Sequence, residues 1–175
     1  MNIINLSGKW SLFYSSERPE ITDSIPDFTK AYETDAVPGY WEDMYDSLTD
    51  APFYKDIVIN PEYKYLEYPI STPLSKSIPD MSLETVMGTF WYNKEVEISD
   101  SLEFKTVVFK CVGVQNRAIL WINGRLVGEH CGYSAPFEFD VTDYVIPAAK
   151  NTLTLAVSNH QAYDEEGNKI SGCTS

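Results

Sequence analysis

The sequence predicts an all-β, antiparallel β-sandwich. Three observations predict it: short segments that alternate large apolar with polar residues, turn signals of Gly, Pro and Asn-Gly between them, and no long stretch of helical periodicity. Aromatic residues make up 14% of the chain, with 12 Tyr, 8 Phe and 4 Trp, side chains that suit a pleated, half-buried surface. At 175 residues the chain can bury a core as one domain, residues 1–175, without a metal or a disulfide to staple it.

Residues 6–14, with Leu6, Trp10, Leu12 and Tyr14 spaced by polar or small residues, read as a half-buried strand. Residues 15–36 are polar and carry Pro19 and Pro26, which predicts a loop with a short strand around Tyr32. Val37-Pro38-Gly39 is a turn signal leading to Tyr40 and Trp41. Trp41, placed after a turn, is the aromatic expected to be exposed. From 42 to 84 the pattern is irregular and broken by Pro52, Pro61, Pro69, Pro73 and Pro79. Proline removes a ladder donor, so this stretch is read as an aromatic-rich excursion lying over one end of the sandwich.

Beyond Gly88 the alternation is clear. Strands are predicted at residues 89–98, 106–112, 117–122, 125–129, 136–141 and 151–158. Asn123-Gly124 between two of them is the pair preferred in a two-residue type I′ hairpin, where both positions need positive φ. Residues 143–145 predict a short helical turn capped by Thr142 or Asp143. Asp164 to Asn168 reads as a solvated hairpin tip, and 164–175 as a mobile tail.

Composition narrows the function. Net charge is −13, from 26 acidic and 13 basic side chains, a field that repels phosphate backbones and anionic lipid heads. Nucleic-acid and membrane-surface partners are therefore not expected. No apolar run approaches the length of about 20 residues that a membrane span needs. The opening residues 1–6 are neither basic nor extended enough in apolar character for a signal peptide, which leaves the compartment open. Cys111, Cys131 and Cys173 are scattered and odd in number, so neither a disulfide framework nor a zinc site is expected. Cys111 is read as a small buried hydrophobe.

The residues also limit chemistry. Triad catalysis needs a histidine base, and His130 and His160 are read as loop histidines with no nucleophile elbow beside them. There is no Gly-rich phosphate loop, and Asp164, Glu165 and Glu166 lack the alternating oxygen ligands of a calcium loop. No metal, no cofactor and no catalytic residue is assigned within the chain.

Several segments, taken in order, carry a resemblance. They are Leu6-Ser7-Gly8-Lys9-Trp10, Val37-Pro38-Gly39-Tyr40-Trp41, Gly88-Thr89-Phe90-Trp91-Tyr92, Val112-Gly113-Val114-Gln115-Asn116-Arg117 and Trp121-Ile122-Asn123-Gly124-Arg125. Tyr133-Ser134-Ala135-Pro136-Phe137 and Asn151-Thr152-Leu153 complete the set. Together they resemble the N-terminal domain of glycoside hydrolase family 2, which includes β-galactosidases, β-glucuronidases and β-mannosidases. The resemblance implies a jelly-roll sandwich, called the sugar-binding domain. In that family it precedes an immunoglobulin-like domain and a TIM barrel that holds the acid/base and nucleophile glutamates. It also implies a further strand after residues 172–175, so the chain is expected to be a fragment lacking its last strand.

The resemblance suggests one set of site residues. In β-galactosidases of the family a loop reading Ala-Pro-x-Tyr-x-Asn reaches the barrel's active site and contacts the sugar. Ala51-Pro52-Phe53-Tyr54-Lys55-Asp56 is similar to that loop, and Tyr68-Pro69-Ile70 is similar to the residues that come after it in the family. Tyr54, Asp56 and Ile57 are thereby the candidate substrate-binding residues. Asp56 stands where the amide would be, and an ionised carboxylate accepts hydrogen bonds but cannot donate them. That departure weakens a galactose assignment. On its own residues the same stretch is a proline-containing surface loop.

The expected function is that of a non-catalytic domain of a glycoside hydrolase acting on O-glycosidic bonds, with carbohydrate and the following domains of its own chain as partners. A free-standing carbohydrate-binding module is the alternative, and a purely structural interaction module a third. Trp10, Trp91 and Trp121 are expected in core or interdomain packing.

Overall fold

Alternation along one strand decides how this molecule is layered. In the computed structural model, which describes residues 3–21, 24–37, 48–59, 86–99, 106–133, 135–160, 162–163 and 169–170, the first strand β1 (Gly8–Ser15) buries Trp10, Leu12 and Tyr14 on one face. Phe13, between them, points to the other. The remaining strands are β2 (Tyr32–Val37), β3 (Val58–Ile59), β4 (Val86–Met87), β5 (Thr89–Ile98), β6 (Val108–Cys111) and β7 (Gln115–Ile122). They continue with β8 (Arg125–Tyr133), β9 (Phe137–Asp140), β10 (Ala149–Ser158), β11 (Ala162–Tyr163) and β12 (Lys169–Ile170).

The main sheet has six strands in the order β2-β1-β5-β10-β7-β8, and its neighbours pair antiparallel. Its centre is β10, aligned with β5 from Ala149 opposite Ile98 to Ser158 opposite Thr89. A two-stranded sheet, β6 with β9, forms the facing layer and brings Phe109 and Phe137 into the core. The predicted antiparallel sandwich is the fold observed.

The core lies between these layers. Phe90, Leu12, Leu120, Ile122, Ala118, Leu155 and Val157 are buried there. A second cluster lies on the outer face of the main sheet, where Trp91, Ile119, Trp121 and Ala156 are buried. The Trp91 and Trp121 rings sit 5.4 Å apart at 32°, and the loop ahead of β2 adds Ile25 and Phe28. Covered on both faces, β10 departs from strict alternation and is buried without interruption from Leu153 to Ser158. The three strand tryptophans are therefore packing residues, as expected.

Turn chemistry agrees with the sequence at the hairpin, where Asn123 has φ 53° and Gly124 φ 75°. It departs at the helical turn, which is capped by Asp140 rather than by Thr142 or Asp143. The Thr142 amide and hydroxyl both donate to Asp140 Oδ1, at 3.0 and 2.6 Å, while the hydroxyl oxygen accepts the Val107 amide at 2.9 Å. His130 also departs from its loop reading. The strand after the hairpin runs on to Tyr133, so His130 lies within β8 and stacks on Phe137 at 4.2 Å. Cys131 is disulfide-bonded, contrary to the expectation from the scattered cysteines. Cys111 is free and half-buried against the core, and burial raises its thiol pKa.

Residue 41 and most of the excursion from 42 to 84 lie outside the described residues, as do 164–168 and 171–175, on which the readings of a hairpin tip, a mobile tail and an absent last strand turn. Of that tail, Lys169 and Ile170 pair antiparallel with Tyr163 and Ala162.

Candidate functional site

The loop carrying Tyr54, Asp56 and Ile57 is built from its buried residues outward. Leu48, Ala51 and Phe53 are buried in the main core, so this stretch is anchored to the sandwich. Phe53 meets Tyr14, Phe13 and Phe90 with ring centroids 6.3–6.4 Å apart. Its backbone winds in successive tight turns: Ala51 N donates to Leu48 O at 2.8 Å, Tyr54 N to Ala51 O at 3.0 Å, and Asp56 N to Phe53 O at 2.9 Å. The last of these forms the 3-10 turn Tyr54–Asp56.

Tyr14 fixes where the turn ends. Its hydroxyl accepts the Val58 amide at 2.9 Å and donates to the Met87 carbonyl at 2.6 Å. The phenol thus joins β1 to both strands of the β3–β4 pair, which aligns Val58 with Met87. Burial raises the Tyr14 pKa, opposed by the Val58 hydrogen bond and assisted by the negative charge of Asp56. The phenol therefore stays protonated and able to donate. Gly88 lies against the same ring, where a Cβ would come within 2.4 Å of Tyr14 Cε2.

On this base the candidate side chains divide. Tyr54 and Ile57 are partly buried and pack against the core. Asp56 is exposed, and its carboxylate forms no hydrogen bond or ion pair among the described residues. What the arrangement offers is a free acceptor on a short hydrogen-bonded turn, suited to hydroxyl donors. The structure brings Tyr54, Asp56 and Ile57 together on one short turn, while Trp41 lies outside the described residues. Tyr14 was not singled out by sequence reasoning. Its alternation marked it as core, and nothing local signals that its hydroxyl reaches across to residues 58 and 87.

Other polar groups are tied into the frame. His160 Nε2 lies 2.9 Å from the Ser16 carbonyl, which can only accept, so Nε2 carries the proton and Nδ1 accepts the Ser158 hydroxyl at 2.9 Å. Ser158 is 1% exposed, so this serine–histidine pair has no access to a substrate. Among the described residues no cluster of His, Cys, Asp or Glu could hold a metal ion, and no helix is long and apolar enough to cross a membrane.

Comparison with known proteins agrees with this architecture. Residues 3–171 match the family described as glycosyl hydrolases family 2, sugar binding domain. A β-galactosidase of Streptococcus thermophilus is 27% identical over 159 residues, covering 87% of this chain and 14% of that protein. A β-galactosidase of Thermoanaerobacter pseudethanolicus is 40% identical over 55 residues, covering 31% of this chain and 7% of that protein. Among solved structures, Faecalibacterium prausnitzii β-glucuronidase superposes with a TM-score of 0.58 at 22% identity, covering 91% of this chain and 21% of that one. The chain thus spans a small fraction of the length of these relatives. With the family match running over nearly all of its residues, the chain belongs to glycosyl hydrolases family 2, as the sugar binding domain.

Proposed function

We propose that the chain serves as the non-catalytic N-terminal domain of a glycoside hydrolase of the β-galactosidase or β-glucuronidase kind, acting on O-glycosidic bonds. In this reading it buttresses a following catalytic barrel, beyond an immunoglobulin-like domain, and lends the Tyr54–Asp56 turn to the rim of the sugar site. Asp56 carries the reading. Its carboxylate is exposed on a turn anchored by buried Phe53 and by the Tyr14 hydroxyl and has no hydrogen-bond or ion-pair partner among the described residues, which supports a role as acceptor for sugar hydroxyls.

The test is kinetic. Asp56→Ala in the full-length enzyme is expected to lower kcat/KM for an aryl glycoside by about tenfold or more, the loss of one hydrogen bond to a charged group. Asp56→Asn, which restores an amide, separates loss of charge from loss of the acceptor. Unchanged kinetics in both variants would remove the loop from the sugar site. Glycoside turnover by the 175-residue chain alone would overturn the non-catalytic assignment.

A further inference from the structure

Asn123-Gly124 is the one Asn-Gly pair in the sequence. The hairpin selects it for its backbone, since both residues take positive φ, 53° and 75°. The same pair carries a chemical liability. The backbone nitrogen of the second residue can attack the side-chain carboxamide of the first, and glycine sets no side chain in the way. Gly124 is exposed, with nothing within 4 Å of the position a Cβ would take. What the fold controls is therefore the other reactant, the Asn123 carboxamide. Its Nδ2 donates to the Tyr144 carbonyl at 2.9 Å and to Asn151 Oδ1 at 2.8 Å, and its Oδ1 accepts the Thr152 amide at 3.0 Å. Asn123 N donates to the Thr152 carbonyl at 2.8 Å, so backbone and side chain are held together. Asn151 is fully buried and is itself bonded to Ile146 and Ala149, which fixes the arrangement from the interior.

We propose that Asn123 is a latent deamidation site, which the folded hairpin holds unreactive and whose product the fold does not accommodate. In the reaction the Gly124 nitrogen gives up its proton and bonds to Asn123 Cγ, the Cγ–Nδ2 bond breaks, and ammonia leaves a succinimide ring behind. Water then opens the ring at either carbonyl, giving aspartate or isoaspartate. The nitrogen has to approach Cγ from above the carboxamide plane. The carboxamide must therefore rotate, and rotation breaks three hydrogen bonds at once. The native chain thus reacts only through the fraction in which the hairpin is open. Aspartate at 123 would set a carboxylate oxygen against Tyr144 O and Asn151 Oδ1, acceptors both. Isoaspartate lengthens the backbone of a two-residue turn and misaligns Ile122 with Arg125. Each opening that reacts is irreversible, so the pair records hairpin openings over the life of the protein.

The experiment incubates the 175-residue chain in mildly alkaline buffer, with and without denaturing urea, and follows each asparagine by peptide mapping with mass spectrometry and an isoaspartate assay. In urea Asn123 is expected to convert ahead of the other asparagines, and in buffer at least about tenfold more slowly than in urea. Asn151→Ala removes one of the three partners. Its native conversion is expected to rise by about tenfold or more beyond what its globally unfolded population, read from a urea titration, accounts for. Tyr14→Phe acts at the far end of the sheet, where Tyr14 lies opposite Phe90 and Phe90 opposite Val157, and should speed conversion only in proportion to that population. Asn151→Ser serves in place of the alanine variant should that not fold, with the same expectation. Asn123→Asp, made directly, should unfold at lower urea than the wild type. Equal rates in buffer and urea would overturn the proposal. So would Asn151 variants whose rates follow global unfolding alone, or an Asn123→Asp midpoint as high as that of the wild type.

Discussion

The Tyr14 hydroxyl accepts the Val58 amide at 2.9 Å, tying the end of the first strand to the chain as it leaves the candidate turn. With its donation to Met87 O at 2.6 Å, it is the polar point at which the sheet and the covering loop are joined. Tyr14→Phe keeps the ring, which packs 5.1 Å from Phe90, and removes both hydrogen bonds. Leaving the Val58 N–H and Met87 C=O unpaired is expected to cost about 1–3 kcal/mol. For a domain of this size that is a fall of about 2–4 °C in Tm per kcal/mol, measured by thermal denaturation. In the full-length enzyme the same variant should raise KM more than it changes kcat, because it frees the turn without touching its side chains. An unchanged Tm would show that water replaces both bonds.

Gly88→Ala tests the same junction from the other side. A methyl group at residue 88 would lie 2.4 Å from Tyr14 Cε2 and 2.6 Å from its hydroxyl oxygen, inside any tolerable contact. The ring cannot yield without breaking its bonds to Val58 and Met87, so an overpacking cost of about 1–3 kcal/mol is expected in a denaturant titration. In the Tyr14→Ala background the steric part of the penalty should vanish, since the atoms in the way are gone, leaving the backbone cost of a side chain at the Gly88 φ of 154°. A penalty of the same size in both backgrounds would place its origin in the backbone at Gly88.

The strands were legible because their physics is local. Trp10, Leu12 and Tyr14 announce a buried face by spacing alone, and Asn123-Gly124 announces a hairpin by its φ requirement. What could not be read is what the sheets bring together from afar. His130 belongs to a strand because β8 continues alongside β7 to Gln115, and the Thr142 hydroxyl that donates to Asp140 also accepts the amide of distant Val107. The candidate site was legible only through likeness to a family. The isolation of Asp56 and the tether through Tyr14 are properties of the fold.

Asn151 offers a test of buried polar order. It is fully buried, and its Oδ1 accepts Asn123 Nδ2 at 2.8 Å and the Ile146 amide at 2.7 Å, while its Nδ2 donates to Ile146 O at 2.9 Å and Ala149 O at 3.0 Å. All four bonds the side chain can make in this setting are made. Asn151→Ala strands several buried groups at once and is expected to cost at least about 3 kcal/mol by denaturant unfolding. Asn151→Asp keeps both accepted bonds but turns both donated ones into oxygen–oxygen repulsion, so it should be no milder than the alanine variant. A near-neutral aspartate would mean that only the acceptor half of the network stabilises the hairpin.

His160 predicts a pH dependence of stability. Burial lowers its pKa below the ordinary 6.5, opposed by its hydrogen bond to Ser16 O and assisted by the positive charge of Arg18. The groups facing it are Ser158, Ser16 and Arg18. Because the folded-state pKa is depressed, the unfolded chain takes up a proton first as pH falls. Stability is therefore fully present above pH 6.5 and is lost as pH drops from there through the folded-state value. Asp27 and Asp140 are held below the usual carboxylate range, by hydrogen bonds from Thr29 and Thr142 respectively, so their contributions are lost only below about pH 4 and fall outside this window. Unfolding free energies measured by denaturant titration between about pH 5 and 7.5 should decline toward acid in the wild type and change less in His160→Gln. Equal slopes in the two proteins would assign the dependence to other groups, and a wild type that gains stability toward acid would contradict a neutral His160 in the fold.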